Sequence, residues 1–319
     1  MGHLWVQAEW GFKALMLRGF FAPQNQPNLM VEAARAQPAL WRVIVGMVIC
    51  LLTYVLGLLA YFYAMSHLIG TKFEAVWTAD PQTSGPSLTL ILLGSFVTML
   101  VGPFFVAWLL HDRSPWSLFG PLRQMHRQFW IAVAVFSALA TLSTLIPTEF
   151  ALLRSLGLNQ WLLLLPLALG LIAIQTGAEE LLFRGYIQSQ LAARFKSPII
   201  WAVLPSVLFG LAHFAPEEHG SAAWYLVLAT GVFGLCAADL THRFGTIGPA
   251  WGFHFANNVM AMLAVSLPGA LGGLALYHLP IAANDAEAMV PLILRDIAVT
   301  IVIWLGIRFA LIWRENAHR

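Results

Sequence analysis

Eight apolar segments, each close to the roughly 20 residues that a bilayer crossing needs, recur along this chain near 41–65, 87–110, 129–147, 161–180, 198–214, 222–241, 247–267 and 296–313. That recurrence constrains the fold more than any other feature. In hydrocarbon every backbone amide must be satisfied within the protein, so apolar runs of this length form helices. Composition agrees: 59% of residues are hydrophobic and 10% charged, where a soluble domain carries about 25% charged residues. The expected fold is all-α, a polytopic membrane protein with about eight transmembrane helices. A nucleic-acid partner is not expected; the partner that composition implies is a lipid bilayer. Oligomeric state is not legible. The two cysteines, Cys50 and Cys236, lie in apolar runs and read as reduced packing residues.

Basic residues orient the spans. Lys13, Arg18, Arg35 and Arg42 precede the first; Arg113, Arg123 and Arg127 fill the second loop, Arg184, Arg194 and Lys196 the fourth, and Arg243 the sixth. Arg308, Arg314 and Arg319 close the chain, while the odd loops hold chiefly Lys72 and Arg154. By the positive-inside rule both termini are cytoplasmic. Residues 1–40 read as a cytoplasmic N-terminal segment. Within it 4–21 mixes Trp5, Trp10, Phe12 and Phe20 with Glu9, Lys13 and Arg18, the composition of an amphipathic helix lying in the interface. Residues 41–319 read as the membrane domain.

The costly residues lie at the end of the fourth span. Gly177-Ala178-Glu179-Glu180-Leu181-Leu182-Phe183-Arg184 places two carboxylates and a guanidinium where burial is expensive, and intramembrane ionisable groups default to a functional reading. Helical spacing separates the acids. Glu180 and Arg184, four apart, share a face and can pair. Glu179 is turned about 100° away, which leaves it the better candidate for chemistry. After Pro166 no proline or polar loop follows before Ala193, so this helix is expected to continue past Arg184.

Of ten histidines, only His213 and His254 fall within apolar spans. Glu179 and His213 lie about 17 residues to either side of a turn near Phe195–Pro198, or roughly 25 Å along each helix, which puts them at one depth. His254 and Asn258, four apart, share a face of the seventh span. Gly210, Gly231, Gly234, Gly248 and Gly252 would let neighbouring helices approach closely around these side chains.

A carboxylate paired with a histidine can take a proton from water as it attacks a carbonyl. A second histidine with an asparagine can donate hydrogen bonds to the oxyanion that forms. The same atoms offer an alternative: Glu179, His213 and His254 would make a two-His, one-carboxylate shell suited to zinc. A proton-coupled transporter also places Glu, His and Arg in its spans, and an immunity-type membrane protein is a third class.

Glu179-Glu180-Leu-Leu-Phe-Arg184, Phe209-Gly-Leu-Ala-His213 and His254-Phe-Ala-Asn-Asn258 match, in order and on separate spans, the three motifs Glu-Glu-x-x-x-Arg, Phe-x-x-x-His and His-x-x-x-Asn. In these the chain resembles the CAAX protease and bacteriocin-processing (CPBP, or Abi) family of intramembrane endopeptidases, which includes the Ras-converting prenyl-protein proteases. The resemblance covers roughly Trp161 to Leu267. It implies an intramembrane protease cutting near the cytoplasmic membrane face, in the bacterial cell (inner) membrane. It further implies Glu179 as general base, His213 as its partner in activating water, His254 and Asn258 as the oxyanion pair, and Glu180, Arg184 and Phe209 as support. On the reading the resemblance favours, no cofactor is required; a zinc-dependent version is the alternative.

Overall fold

In the computed structural model of the chain, residues 28–70, 85–144, 150–269 and 271–317 are described. The interfacial helix expected at 4–21 lies outside them.

Helices α1 (Leu29–Ala34), α2 (Leu40–Leu68), α3 (Pro86–His111) and α4 (Leu122–Ser143) are followed by a two-residue strand β1 (Leu153–Arg154). Next come α5 (Leu158–Arg194), α6 (Ile199–Leu211), α7 (Ala223–Phe244) and α8 (Gly248–Val259), the last continuing as a π turn over Met260–Ala264. Strands β2 (Val265–Ser266) and β3 (Tyr277–His278) precede the closing helix α9 (Ala286–Ala317). β3 pairs antiparallel with β1 and parallel with β2, tying the start of α5 to the end of α8.

Each of the eight apolar segments of the sequence carries a helix over most of its described residues, and the chain is an all-α polytopic membrane protein. Among the described residues, six helices are long and apolar enough to cross a membrane: α2, α3, Pro115–Ser143, α5, Pro216–Phe244 and α9. The fifth and seventh predicted spans are shorter than the sequence suggested. α6 stops at Leu211 before a turn at Ala212–His213. α8 gives way to an extended strand at Val265. The eight near-equal crossings of the sequence reading therefore become six long helices and two short ones packed among them.

Polarity is inverted relative to a soluble protein. Leu163 on α5 and Leu56 on α2 are 79% and 64% exposed, while Glu180 is fully buried on the same α5 helix. Apolar side chains face outward and the charges face in, as a bilayer solvent requires. Several basic residues that orient the spans by count are also structural. Arg308 lies 3.6 Å from Asp239, whose carboxylate also accepts a 3.0 Å hydrogen bond from Trp304 Nε1, joining α7 to α9. Arg113, in the α3–α4 loop, donates to Ser117 Oγ (2.9 Å) and Ser189 Oγ (3.0 Å); burial pushes its guanidinium down to about 10, so it stays charged at neutral pH.

α8 sits at the centre, between α4, α5 and α7. Glycines allow it: a Cβ on Gly248 would run into the carbonyl oxygen of Met125, and one on Gly252 into that of Phe129. Gly234 on α7 lies more loosely, its Cβ position 3.0 Å from the Ser206 Cβ of α6. Gly170, by contrast, faces open space on α5. Gly252→Val is accordingly expected to cost about 1–3 kcal/mol through overpacking, read as a lowered unfolding midpoint in detergent. Gly170→Val should leave the midpoint nearly in place. Equal midpoints for the two variants would show that α4 and α8 are not held together at Gly252.

Candidate active site

α5 runs unbroken from Leu158 to Arg194, with Pro166 inside it, but changes character where the acids lie. It is α-helical to Glu180 and π-helical over Leu181–Gln188 before the α form resumes. Such wide turns are frequent at functional sites. The α part sets Gln175 one turn before Glu179, and the Gln175 amide donates to Glu179 Oε1 at 2.8 Å. Arg184 Nη1 donates to Glu180 Oε1 at 2.9 Å, while its Nη2 reaches across to the Gly234 carbonyl on α7 at 3.2 Å. The separation of the two acids expected from spacing is therefore present: Arg184 forms its ion pair with Glu180.

α8 supplies the opposing wall. His254 Nδ1 lies 2.9 Å from Glu180 Oε1, and its Nε2 lies 3.5 Å from Glu179 Oε2. One imidazole thus bridges both acids. A neutral ring carries a single N–H and a carboxylate only accepts, so that N–H can serve one of the two acids at a time. One turn on, Asn258 Nδ2 donates to Gln175 Oε1 at 2.8 Å. Among the described residues, Oε2 of both Glu179 and Glu180 accepts no hydrogen bond.

α6 contributes an aromatic floor. The Phe209 ring is 5.9 Å from the His254 ring, 4.8 Å from His213 and 5.1 Å from Phe183, and the Arg184 guanidinium stands 4.7 Å from its centroid. The ring face receives the cation, which explains the phenylalanine of the second motif in packing terms. His213 itself is exposed, and its Nδ1 lies 2.8 Å from the Phe209 carbonyl. A carbonyl only accepts, so Nδ1 carries the proton there, and Nε2 of the neutral ring is left as the acceptor.

The structure thus gathers Glu179, Glu180, Arg184, Phe209, His254 and Asn258 into one cluster and leaves His213 at its rim. The histidine set against Glu179 is His254, where the depth count along the helices had favoured His213. The count treated residues 198–214 as one straight span, and α6 ends two residues short of His213. Gln175 carried no signal in the sequence beyond being a polar residue in an apolar run, four before Glu179. That spacing was the available clue.

Glu179, His213 and His254, the alternative zinc set, do not form a ligand group: among the described residues no three His, Cys, Asp or Glu side chains converge as a metal site. No step below is routed through a metal.

The cluster is graded in exposure. Glu180 and Arg184 are sealed, Glu179 is 8% exposed, Asn258 is half-buried and His213 is exposed. A buried acid with one unclaimed oxygen, a histidine against it and an amide beside it thus stand together inside an all-α multi-pass membrane protein.

Comparison with known proteins finds a family match for part of the chain. Residues 159–260, which hold all three motifs, match the family described as type II CAAX prenyl endopeptidase Rce1-like. The chain thus carries an Rce1-like CAAX prenyl endopeptidase domain over that stretch, and the match supports a CAAX-type intramembrane protease role. Over 246 residues, 75% of this chain and 82% of the relative, it is 23% identical to YyaK of Bacillus subtilis (strain 168), described as an uncharacterized protein. No solved structure matches it.

Proposed function

We propose that this protein is an intramembrane endopeptidase that hydrolyses peptide bonds near the cytoplasmic membrane face, with Glu179 as the general base. The observation carrying the proposal is the state of the Glu179 carboxylate. Gln175 holds Oε1, while Oε2 is buried, unclaimed and 3.5 Å from His254 Nε2. Water placed against Oε2 would give up its proton there while attacking the scissile carbonyl. The oxygen that becomes negative in that attack would lie against donors from Asn258 and, once its Nε2 carries a proton, His254. Glu180 and Arg184 hold His254 from behind, because Glu180 Oε1 is shared between the His254 imidazole and the Arg184 guanidinium. His213, exposed beside Phe209, would present Nε2 as an acceptor to the arriving peptide or to the attacking water.

The reaction so described uses side chains and water alone. Metal analysis of active, purified protein, with and without chelator, separates it from a zinc-dependent version.

In the same reading the short α6 and α8 count with the six long helices as eight membrane segments. Both termini are cytoplasmic, 1–40 is an N-terminal cytoplasmic segment, and 41–319 is the membrane domain. The substrate class is a membrane-anchored peptide or protein whose cleavage site reaches the cytoplasmic interface; prenylated CAAX tails and bacteriocin leaders both fit. The membrane assigned is the bacterial inner membrane.

N-terminal proteomics of cells carrying wild type or Glu179→Gln is the test. New N-termini mapping to the cytoplasmic edge of membrane-bound proteins are expected in wild type and absent from the variant. Identical sets of N-termini in both strains would remove the proposal.

A further inference from the structure

We infer that Gln175 is a positioning residue that makes Glu179 and Asn258 one unit, linking the first motif to the third. The inference rests on the protease reading and adds a residue that lies in none of the three motifs. Gln175 is 7% exposed within the apolar part of α5. A buried amide there is costly unless both of its ends are bonded. Both are: its Nε2 donates to Glu179 Oε1 at 2.8 Å, and its Oε1 accepts from Asn258 Nδ2 at 2.8 Å.

The direction of this chain of bonds is dictated by chemistry. An ionised carboxylate only accepts, so Gln175 must turn its NH₂ end to Glu179. Its carbonyl end then faces Asn258, and Asn258 must answer with its own NH₂. Asn257 Nδ2 meanwhile donates to Asn258 Oδ1 at 3.2 Å, which occupies the acceptor end. Two consequences follow. Glu179 is left with Oε2 as its one free oxygen, on the side of His254. Asn258 is left with one unspent N–H, a donor of the kind a developing oxyanion needs. Gln175 thus sets both the edge of the base that is free to act and the polarity of the amide opposite. It does so across the α5–α8 contact, and it need not touch the substrate.

Gln175→Met keeps the side-chain length and removes both bonds. Released from one hydrogen bond each, Glu179 and Asn258 lose their common alignment. The expected result is a roughly 10- to 100-fold fall in kcat with KM held within about twofold. Gln175→Glu, which keeps an acceptor for Asn258 but loses the donor to Glu179, should also lose kcat. The cycle of Gln175→Met with Asn258→Ala should be non-additive, the second substitution costing less when the first is present. Wild-type kcat in either Gln175 variant, or losses that simply multiply in the cycle, would overturn the inference. A role in packing alone would lower the unfolding midpoint without splitting kcat from KM.

The protease reading fails separately, if cleavage survives Glu179→Gln. An infrared readout then still decides the matter. The carboxylate band that disappears in Glu179→Gln is expected to shift in Gln175→Met, because that oxygen has lost its donor. A band that stays in place overturns the inference whatever the turnover.

Discussion

Glu179→Gln is expected to lower kcat for cleavage of a membrane-anchored peptide by about 10³-fold, within the range assigned to removal of a general base. KM should change little, since the side chain acts on water and is not placed against the peptide. Glutamine matches glutamate in size and removes the charge. Its carbonyl oxygen can still accept the bond from Gln175, so its NH₂ occupies the place of Oε2 and donates toward His254, where a base has to accept. Helix packing around it is unchanged, so unfolding should remain near wild type, and the loss can be read as chemistry. Steady-state rates on a quenched fluorescent peptide with a lipid anchor, in nanodiscs, provide the measurement. A variant within threefold of wild type would mean that Glu179 is not the base, and the cluster would then have to be explained as a structural network.

Arg184→Met is expected to be the most destabilising of the site substitutions, at about 3–5 kcal/mol. The guanidinium makes three contacts: Glu180 Oε1 at 2.9 Å, the Gly234 carbonyl at 3.2 Å and the face of Phe209 at 4.7 Å. Methionine replaces most of the volume and none of the charge. Glu180, with no exposed surface, would keep only His254 as its partner. An uncompensated buried carboxylate is the costly outcome; removing both charges is much cheaper. Arg184→Met combined with Glu180→Gln should therefore recover a large part of the loss. Thermal unfolding in detergent measures both. A single variant less than about 1 kcal/mol below wild type, or a double variant worse than the single, would show that the pair does not carry the stability assigned to it. Activity should fall in the double variant, because there His254 loses the carboxylate that holds Nδ1.

The two predictions concern neighbouring acids with separate duties, and that division was already legible in the sequence. Residues four apart on a helix share a face, so Glu180 belonged with Arg184 and Glu179 did not. The same local rule placed His254 with Asn258. Apolar runs of bilayer length marked out the helices because hydrocarbon leaves the backbone no other partner. The glycines at 210, 248 and 252 marked close helix contacts, because a side chain there would collide with a neighbouring backbone. These are statements about one helix, or about what one residue can tolerate, and sequence contains them.

What depended on the relation between helices was decided only in the tertiary structure. Counting residues back from a turn assumes straight helices of full length. α6 is short and ends before His213, and α5 contains a π stretch just beyond Glu180, so His254 is set against Glu179 and His213 lies at the rim. The bridging of both acids by one imidazole, and the bond from Gln175 to Asn258 across α5 and α8, depend on separations of about 3 Å between side chains some 80 residues apart in the chain. No periodicity encodes such a separation, because it is set by how helices cross and how their glycines let them close. The sequence determined which residues could do chemistry in the membrane; the packing of α8 against α5 decided which of them meet.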